Sequence, residues 1–236
     1  MSGRNSHNMG DIFHRQLDIF NPEDYDVPVH VIGVGATGSA DVLALMKMGF
    51  FQVHAWDNDI VEVNNTAGQL YGLRDEDSPK VHALYDIVTR LADDGSFCHQ
   101  KNWEGEPLSG IVVMGVDSME VRRQIFDATA FKPQVQLVID HRIGGQEAII
   151  FCYSPTDADA VADYEQSLTA DEDAARLPCT QRSVIDINFI VAGLTARAAR
   201  TFLVDGQRAI THEMHYNARD CTFMRRQPGG AFETLR

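Results

Sequence analysis

The sequence predicts an α/β fold: a Rossmann-like, mostly parallel sheet with helices on both faces and a C-terminal antiparallel extension. Three observations carry this. Short apolar, β-branched runs recur at residues 29–34, 52–56, 110–116 and 135–140. Segments with apolar residues at helical spacing separate most of them. The first run stops at Gly33-x-Gly35-x-x-Gly38, just where a helical segment begins. Strands buried on both faces are near-continuous apolar runs, and strand–helix alternation is the pattern of a doubly wound sheet.

Each element follows from local chemistry. Residues 1–26 are a polar arm ending in the turn-rich NPEDYD. The 37–48 helix carries Val42, Leu43, Leu45, Met46 and Met48 and ends at Gly49, the residue type that best tolerates the C′ position. Val81, Leu84, Tyr85, Val88 and Leu91 share one face of a helix over 80–91, and a further helix spans 120–130. The run EAIIFCY, 147–153, is a strand with no helix before it. Residues 154–178 hold Asp157, Asp159, Asp163, Glu165, Asp171, Glu172 and Asp173 against a single cation, Arg176, and predict a solvated acidic crossover loop with at most one helical turn. Small residues Ala192, Gly193, Ala196, Ala198 and Ala199 suit a closely packed helix over 184–203, and 213–224 suits a hairpin turning at 217–220. The expected organisation is an arm (1–26), a central domain (27–204) and a C-terminal extension of that domain (205–236).

Composition excludes several classes. With 20 Lys+Arg against 34 Asp+Glu the formal charge is -14, and no basic stripe is present to bind a phosphate backbone, so no nucleic-acid partner is expected. The unbroken apolar runs, 111–116 and 189–192, fall far short of the roughly 18 residues of a bilayer span, so no membrane association is expected. The N-terminal MSGRNSHNMGDIFHRQ lacks the apolar core of a secretory signal, and Cys98, Cys152, Cys179 and Cys221 form no CxxC pair. A reduced, cytoplasmic setting without structural zinc is the expectation. There is no GxxxxGK[ST], HExxH or GxSxG motif.

The glycines point to a nucleotide. Gly33 permits the tight turn, Gly35 lets backbone approach phosphate, and Gly38 allows close helix–strand packing, while the helix N-terminus offers N–H groups to an anion. Asp57 closes the second strand 19 residues after Gly38, where an acid meets ribose hydroxyls. To this point an NAD-dependent oxidoreductase fits equally well. Beyond it come Asn64-Asn65, Gln69, Lys80 at a helix start and Asp117 at a strand end. A lysine and a metal-holding acid are what an ATP–Mg²⁺ site needs, and an NAD enzyme leaves both idle.

The motifs GVGATGS, DNDIVEVNNTAGQ, SPKVHAL, GVDSMEVRRQ and GGQEAIIF, and the stretch from Cys179 to Gly193, resemble the ThiF/MoeB-type adenylyltransferases of the ubiquitin-activating-enzyme superfamily over residues 15–203. That resemblance implies ATP–Mg²⁺-dependent adenylation of a C-terminal carboxylate on a ubiquitin-like or sulfur-carrier protein or a peptide tail, with release of pyrophosphate. It places Gly35 beneath the phosphates, Asp57 on the ribose, Asp59, Asn65 and Gln69 in the nucleotide pocket, Lys80 on the phosphates and Asp117 on magnesium. Arg15 is similar to the arginine that reaches into a partner subunit's site, which implies a homodimer. Gly68 stands where the family has a phosphate-binding arginine, and Arg74 or Arg15 is the candidate substitute. Cys179 matches a position that takes the activated carrier as a covalent adduct; the competing reading is a small buried apolar side chain. Two other functions stay open: the NAD-binding oxidoreductase, and a non-catalytic relative that binds nucleotide or a protein tail. Asp140-His141-Arg142, at a strand end near the active edge, is a weaker candidate for substrate contact.

Overall fold

The computed structural model describes residues 9–92, 96–168 and 184–235. These form a nine-stranded sheet with helices on both faces. Strands β1 (Val29–Ile32), β2 (Val53–Trp56), β3 (Ser96–His99), β4 (Gly110–Met114) and β5 (Val135–Gly144) are parallel, in the order β3-β2-β1-β4-β5. Strands β6 (Glu147–Tyr153), β7 (Glu213–Asn217), β8 (Thr222–Arg226) and β9 (Glu233–Leu235) continue the sheet antiparallel from β5. Half of the pairings are therefore antiparallel, more than the sequence pattern implied. The change of direction is local. Strand β5 runs four residues past its predicted end, and Gly145, at φ 63°, lets a two-residue turn fold β6 straight back.

Helices α2 (Ala36–Met48), α3 (Lys80–Ala92) and α6 (Ile185–Asp205) cover one face of the sheet. There Val29, Val31, Val53, Ile111, Val113, Leu137, Ile139 and Ile150 meet Val42, Leu45, Val81, Leu84, Val88, Ile187 and Val191. Helices α4 (Met119–Thr129) and α5 (Ala158–Gln166) cover the other, where Val112, Met114, Val138, Phe151 and Tyr153 meet Ile125, Phe126, Val161 and Tyr164. The short α1 (Met9–Phe13) starts the described chain; Phe13 packs edge-on to Phe51, and Gln16 Nε2 donates to Met48 O at 2.8 Å, tying the arm to the C-terminal end of α2.

Three expectations need correction. The crossover region opens with a nine-residue helix, α5, rather than a loop: Asp157 caps it by accepting from the N–H groups of Asp159 and Ala160, and Val161 and Tyr164 bury into the core. Asp159 and Glu165 face outward while Asp163 pairs with His212 and Arg226, so local charge concealed an amphipathic helix. Strands β3 and β9, four and three residues long, carry no periodic signal and went unpredicted. Finally, α6 is long and apolar enough by length and composition to cross a bilayer, although polar residues interrupt its apolar runs. Its Ile187, Val191, Ala192, Thr195, Ala196 and Ala199 pack into the protein core. Cys179, Arg176 and the remainder of the predicted acidic loop lie outside the described residues.

A histidine stack crosses β1, β2 and β3. His30 and His54 stack at 4.7 Å, His54 Nδ1 lies 3.2 Å from His99 Nε2, and His99 stacks on Trp56 at 3.8 Å. Burial first, and then the neighbouring His54 and His99 rings, push the His30 pKa down to about 4. An unfolded histidine titrates near 6.5, so as pH falls through that value the unfolded chain takes up the proton first and stability is lost until His30 itself protonates near 4. Between pH 7 and pH 5 this single group costs about 2 kcal/mol. His30→Phe keeps the stack and removes the titration. Urea unfolding at the two pH values is expected to show a smaller acid loss in the variant by that amount; equal losses would remove His30 as the cause.

Candidate functional site

The glycine turn lies at the carboxyl ends of β1 and β4. Gly33, at φ 84°, donates its N–H to Trp56 O at 2.8 Å, and Gly115 donates to Ile32 O at 2.8 Å. A Cβ on Gly38 would stand 1.9 Å from Gly33 O, and one on Gly115 would stand 2.5 Å from the same atom. These close approaches seat the first turn of α2 directly on the strand ends. Gly35 is the N-cap of α2, makes no side-chain cap, and has nothing within 4 Å of where a Cβ would project. Two of the predicted glycines are thus packing residues, and the third faces open space at a helix N-terminus, the arrangement that accepts an anion.

The turn is clamped at Val34. Its N–H donates to Asp57 Oδ2 at 2.9 Å, and its carbonyl accepts from the Tyr71 hydroxyl at 2.6 Å. Asp57 Oδ1 also accepts from the Asp59 N–H at 2.8 Å. Asp57 is half-buried, so the acid expected on the ribose also supports the glycine turn. Tyr71, 2% exposed, was not anticipated; an aromatic within a turn-rich stretch gives no periodic signal.

Lys80 and Asp59 come together. The Lys80 Nζ lies 2.7 Å from Asp59 Oδ2, and the Lys80 N–H donates to Asp59 O at 2.9 Å. The lysine is buried while the Asp59 side chain is 72% exposed, so the ammonium is held at the rim of the protein by a wet carboxylate. Asn65 is turned inward on its own turn: its Oδ1 accepts from the Glu62 N–H and its Nδ2 donates to Asn64. Gln69 has a buried, unpartnered Oε1, and the adjacent Gly68 O accepts from Asn188 Nδ2 at 2.8 Å, which ties this segment to α6. Asp117 occupies the exposed turn after β4, just before Ser118, whose Oγ accepts from the Val121 N–H and caps α4. Arg15 is exposed at the arm, beside the C-terminal end of α2, about 18 Å of helix from the glycine turn of its own chain. Cys179 lies outside the described residues.

Two buried charge clusters flank the turn. Asp140 accepts from Arg122 Nε and Arg142 Nε, each at 2.8 Å, and from the Tyr164 hydroxyl at 3.1 Å. Burial would raise the Asp140 pKa, but the two guanidinium groups hold it below the ordinary carboxylate value. On the opposite face His141 Nε2 lies 2.6 Å from Asp41 Oδ2, and its Nδ1 lies 3.1 Å from Thr37 Oγ1. Burial would lower the His141 pKa; the Asp41 carboxylate raises it overall. A cavity of about 800 Å³, lined by Tyr153, Asp157, Gln207, Arg208 and His212 among others, lies towards the amino ends of the parallel strands, and none of the predicted site residues among the described ones lines it. Among the described residues no group of three or more His, Cys, Asp or Glu side chains is placed to hold a metal ion.

The fold and the glycine turn define a Rossmann-type α/β protein whose turn is joined through Asp57 to the Asp59–Lys80 pair. The chain matches the model of the ThiF family over residues 25–229 and belongs to that family. Among solved structures it is similar to PaaA (TM-score 0.72, 13% identity, covering 98% of this chain and 78% of that one). It is also similar to Escherichia coli MccB determined with AMPCPP and MccA (TM-score 0.70, 16% identity, 96% and 73%) and to MccB determined with ATP (TM-score 0.68, 15% identity, 98% and 75%). No curated protein matches the chain by sequence.

Proposed function

We propose that this protein is an ATP-dependent adenylyltransferase that transfers AMP to a C-terminal carboxylate. The observation that carries this reading is the buried Lys80, paired with Asp59, whose N–H donates to Asp57, the same carboxylate that accepts from Val34 in the glycine turn. That placement suits a triphosphate and has no use in hydride transfer. The triphosphate lies over Gly35 and the first turn of α2, with Asp57 on the ribose and Lys80 on the phosphates. An acceptor carboxylate oxygen attacks the α-phosphorus; the bond from that phosphorus to the bridging oxygen breaks, and its electron pair leaves with pyrophosphate. Asp117 would hold magnesium: an exposed carboxylate outside any group of three or more His, Cys, Asp or Glu among the described residues suits an ion that arrives on phosphate oxygens. Bound there, magnesium would offset the charge that grows on the departing pyrophosphate. The solved structures of MccB with ATP and with MccA support a peptide tail as acceptor, with ubiquitin-like or sulfur-carrier tails as the alternatives. Arg15, remote from its own glycine turn, serves the site of a second copy in a homodimer.

A thermal-shift screen of ATP and NAD, each with and without Mg²⁺, followed by pyrophosphate exchange with short peptides and Gly-Gly tails, tests the reading. ATP at 100 times its dissociation constant adds about 2.7 kcal/mol of stability. Exchange is expected with at least one acceptor and is expected to vanish in Asp117→Ala. Stabilisation by NAD alone would replace this function with the oxidoreductase; tight ATP binding without any exchange would leave a non-catalytic binder.

A further inference from the structure

Asp140, His141 and Arg142 take no part in the proposed chemistry, yet they stand in the second half of β5, inside the strand rather than at its expected end, and level with the glycine turn. The register sets this: Ile32 pairs with Met114 and Met114 with Asp140, so His141 follows directly beyond the last residues of β1 and β4. Successive strand residues point to opposite faces. Asp140 and Arg142 enter the α4/α5 face, and His141 enters the α2 face between them.

On its face, His141 holds the start of α2. The Asp41 carboxylate only accepts, so His141 Nε2 carries a proton and donates to it at 2.6 Å; His141 Nδ1 meets Thr37 Oγ1 at 3.1 Å. Thr37 is the second residue of α2 and Asp41 lies one turn on, so a single ring grips the helix at two points directly below Gly35. On the other face, Asp140 fixes the Arg122 guanidinium, which donates through Nη2 to the carbonyl of Val116, the residue before Asp117. The same Nη2 donates to His141 O at 3.3 Å. Arg142 donates to Ser167 O and Ser167 Oγ, both at 3.0 Å, just beyond the end of α5. Buried ion pairs give little net stability compared with packed apolar side chains; what they supply is direction. Here the direction is imposed on two elements that leave different strands and have to meet one ligand.

We propose that Asp140-His141-Arg142 is a positioning bar that holds the phosphate-facing turn of α2 and the Asp117 loop at one fixed separation, through His141–Asp41/Thr37 on one face and Asp140–Arg122–Val116 on the other. None of these side chains touches substrate. The inference rests on the adenylyltransferase reading, and its test separates the two.

The experiment is steady-state pyrophosphate exchange on the full chain, with the ATP-induced thermal shift of each variant measured against its own nucleotide-free midpoint. His141→Leu is expected to raise the KM for ATP more than tenfold and leave the KM for the acceptor unchanged; Thr37→Val, a milder and nearly isosteric change, raises it about threefold. Asp41→Asn keeps a hydrogen-bond acceptor for the ring and is expected to retain the wild-type ATP KM to within about threefold. Arg122→Met is expected to lower kcat and raise the Mg²⁺ concentration needed for half-maximal rate. Because both substitutions break one bar, His141→Leu with Arg122→Met costs less than the product of the two single effects. His141→Leu and Thr37→Val enzymes that melt lower but keep the wild-type ATP KM would reduce the bar to fold stability alone. Independent, multiplicative effects would overturn the coupling. A wild-type protein that binds no ATP overturns the proposed function and the bar together, whereas exchange in the wild type with an unaltered KM in both variants overturns the bar alone.

Discussion

Alanine at Gly38 is expected to cost the fold, and alanine at Gly35 is expected to cost only the ligand. The two glycines lie three residues apart in the same turn but meet different surroundings. A methyl on Gly38 would be driven to 1.9 Å from the Gly33 carbonyl oxygen, and that atom belongs to backbone already fixed by the Gly33 N–H bond to Trp56 O. No rotamer change relieves such a contact; α2 has to lift off the sheet. Overpacking of this severity costs at least about 3 kcal/mol, a large share of a typical domain's total of about 5–15 kcal/mol. A methyl on Gly35 meets no heavy atom within 4 Å, so the nucleotide-free stability of Gly35→Ala is expected to fall far less than that of Gly38→Ala. That methyl fills the space over the helix N-terminus, and the ATP-induced thermal shift is expected to disappear. Urea unfolding and nucleotide thermal shift, run on both variants, read this contrast. A well-folded Gly38→Ala protein would refute the packing account. A Gly35→Ala protein that still gains the full ATP shift would place the phosphates elsewhere.

Lys80→Met is expected to lower pyrophosphate exchange by 10²–10³-fold, equivalent to about 3–4 kcal/mol of transition-state stabilisation, with a small change in nucleotide-free stability. Methionine keeps the buried stem and removes the charge. Its partner Asp59 is 72% exposed, so losing the ammonium leaves a carboxylate that water solvates readily, not a stranded buried charge. The same reasoning explains how Lys80 is available to a nucleotide at all: an ion pair with one wet member is worth little, and a triphosphate competes for the ammonium at small cost. Steady-state kinetics with ATP and acceptor varied in turn locate the loss. Exchange within threefold of wild type would remove Lys80 from the phosphates and with it the main argument against a dinucleotide.

The parallel core was legible because its strands are buried on both faces and therefore written as unbroken apolar runs. The glycine turn was legible because only glycine tolerates the approach of Gly38 to Gly33 O. Lys80 and Asp59 were both singled out from sequence, but their contact at 2.7 Å was not, since nothing in the spacing between them encodes a salt bridge. Helix α5 was obscured by its own acids: Asp157, Asp159, Asp163 and Glu165 dominate the local composition, while the helix depends on Val161 and Tyr164 reaching a core built by distant strands. Strands β3 and β9 are too short to show a period, and they exist because an open sheet edge offers them backbone partners.

By itself the sequence determined the class of fold, the position of the glycine turn and several of the polar residues joined to it, because hydrophobic period and glycine spacing are local properties of the chain. Only the tertiary structure decided how those residues are held. Tyr71 on Val34, Asn188 on Gly68, His141 on Asp41 and Arg122 on Asp140 join positions 18 to 120 residues apart. Buried polar groups have to find partners wherever the fold brings them, and that choice is made by sheet register and helix packing rather than by neighbours in the chain.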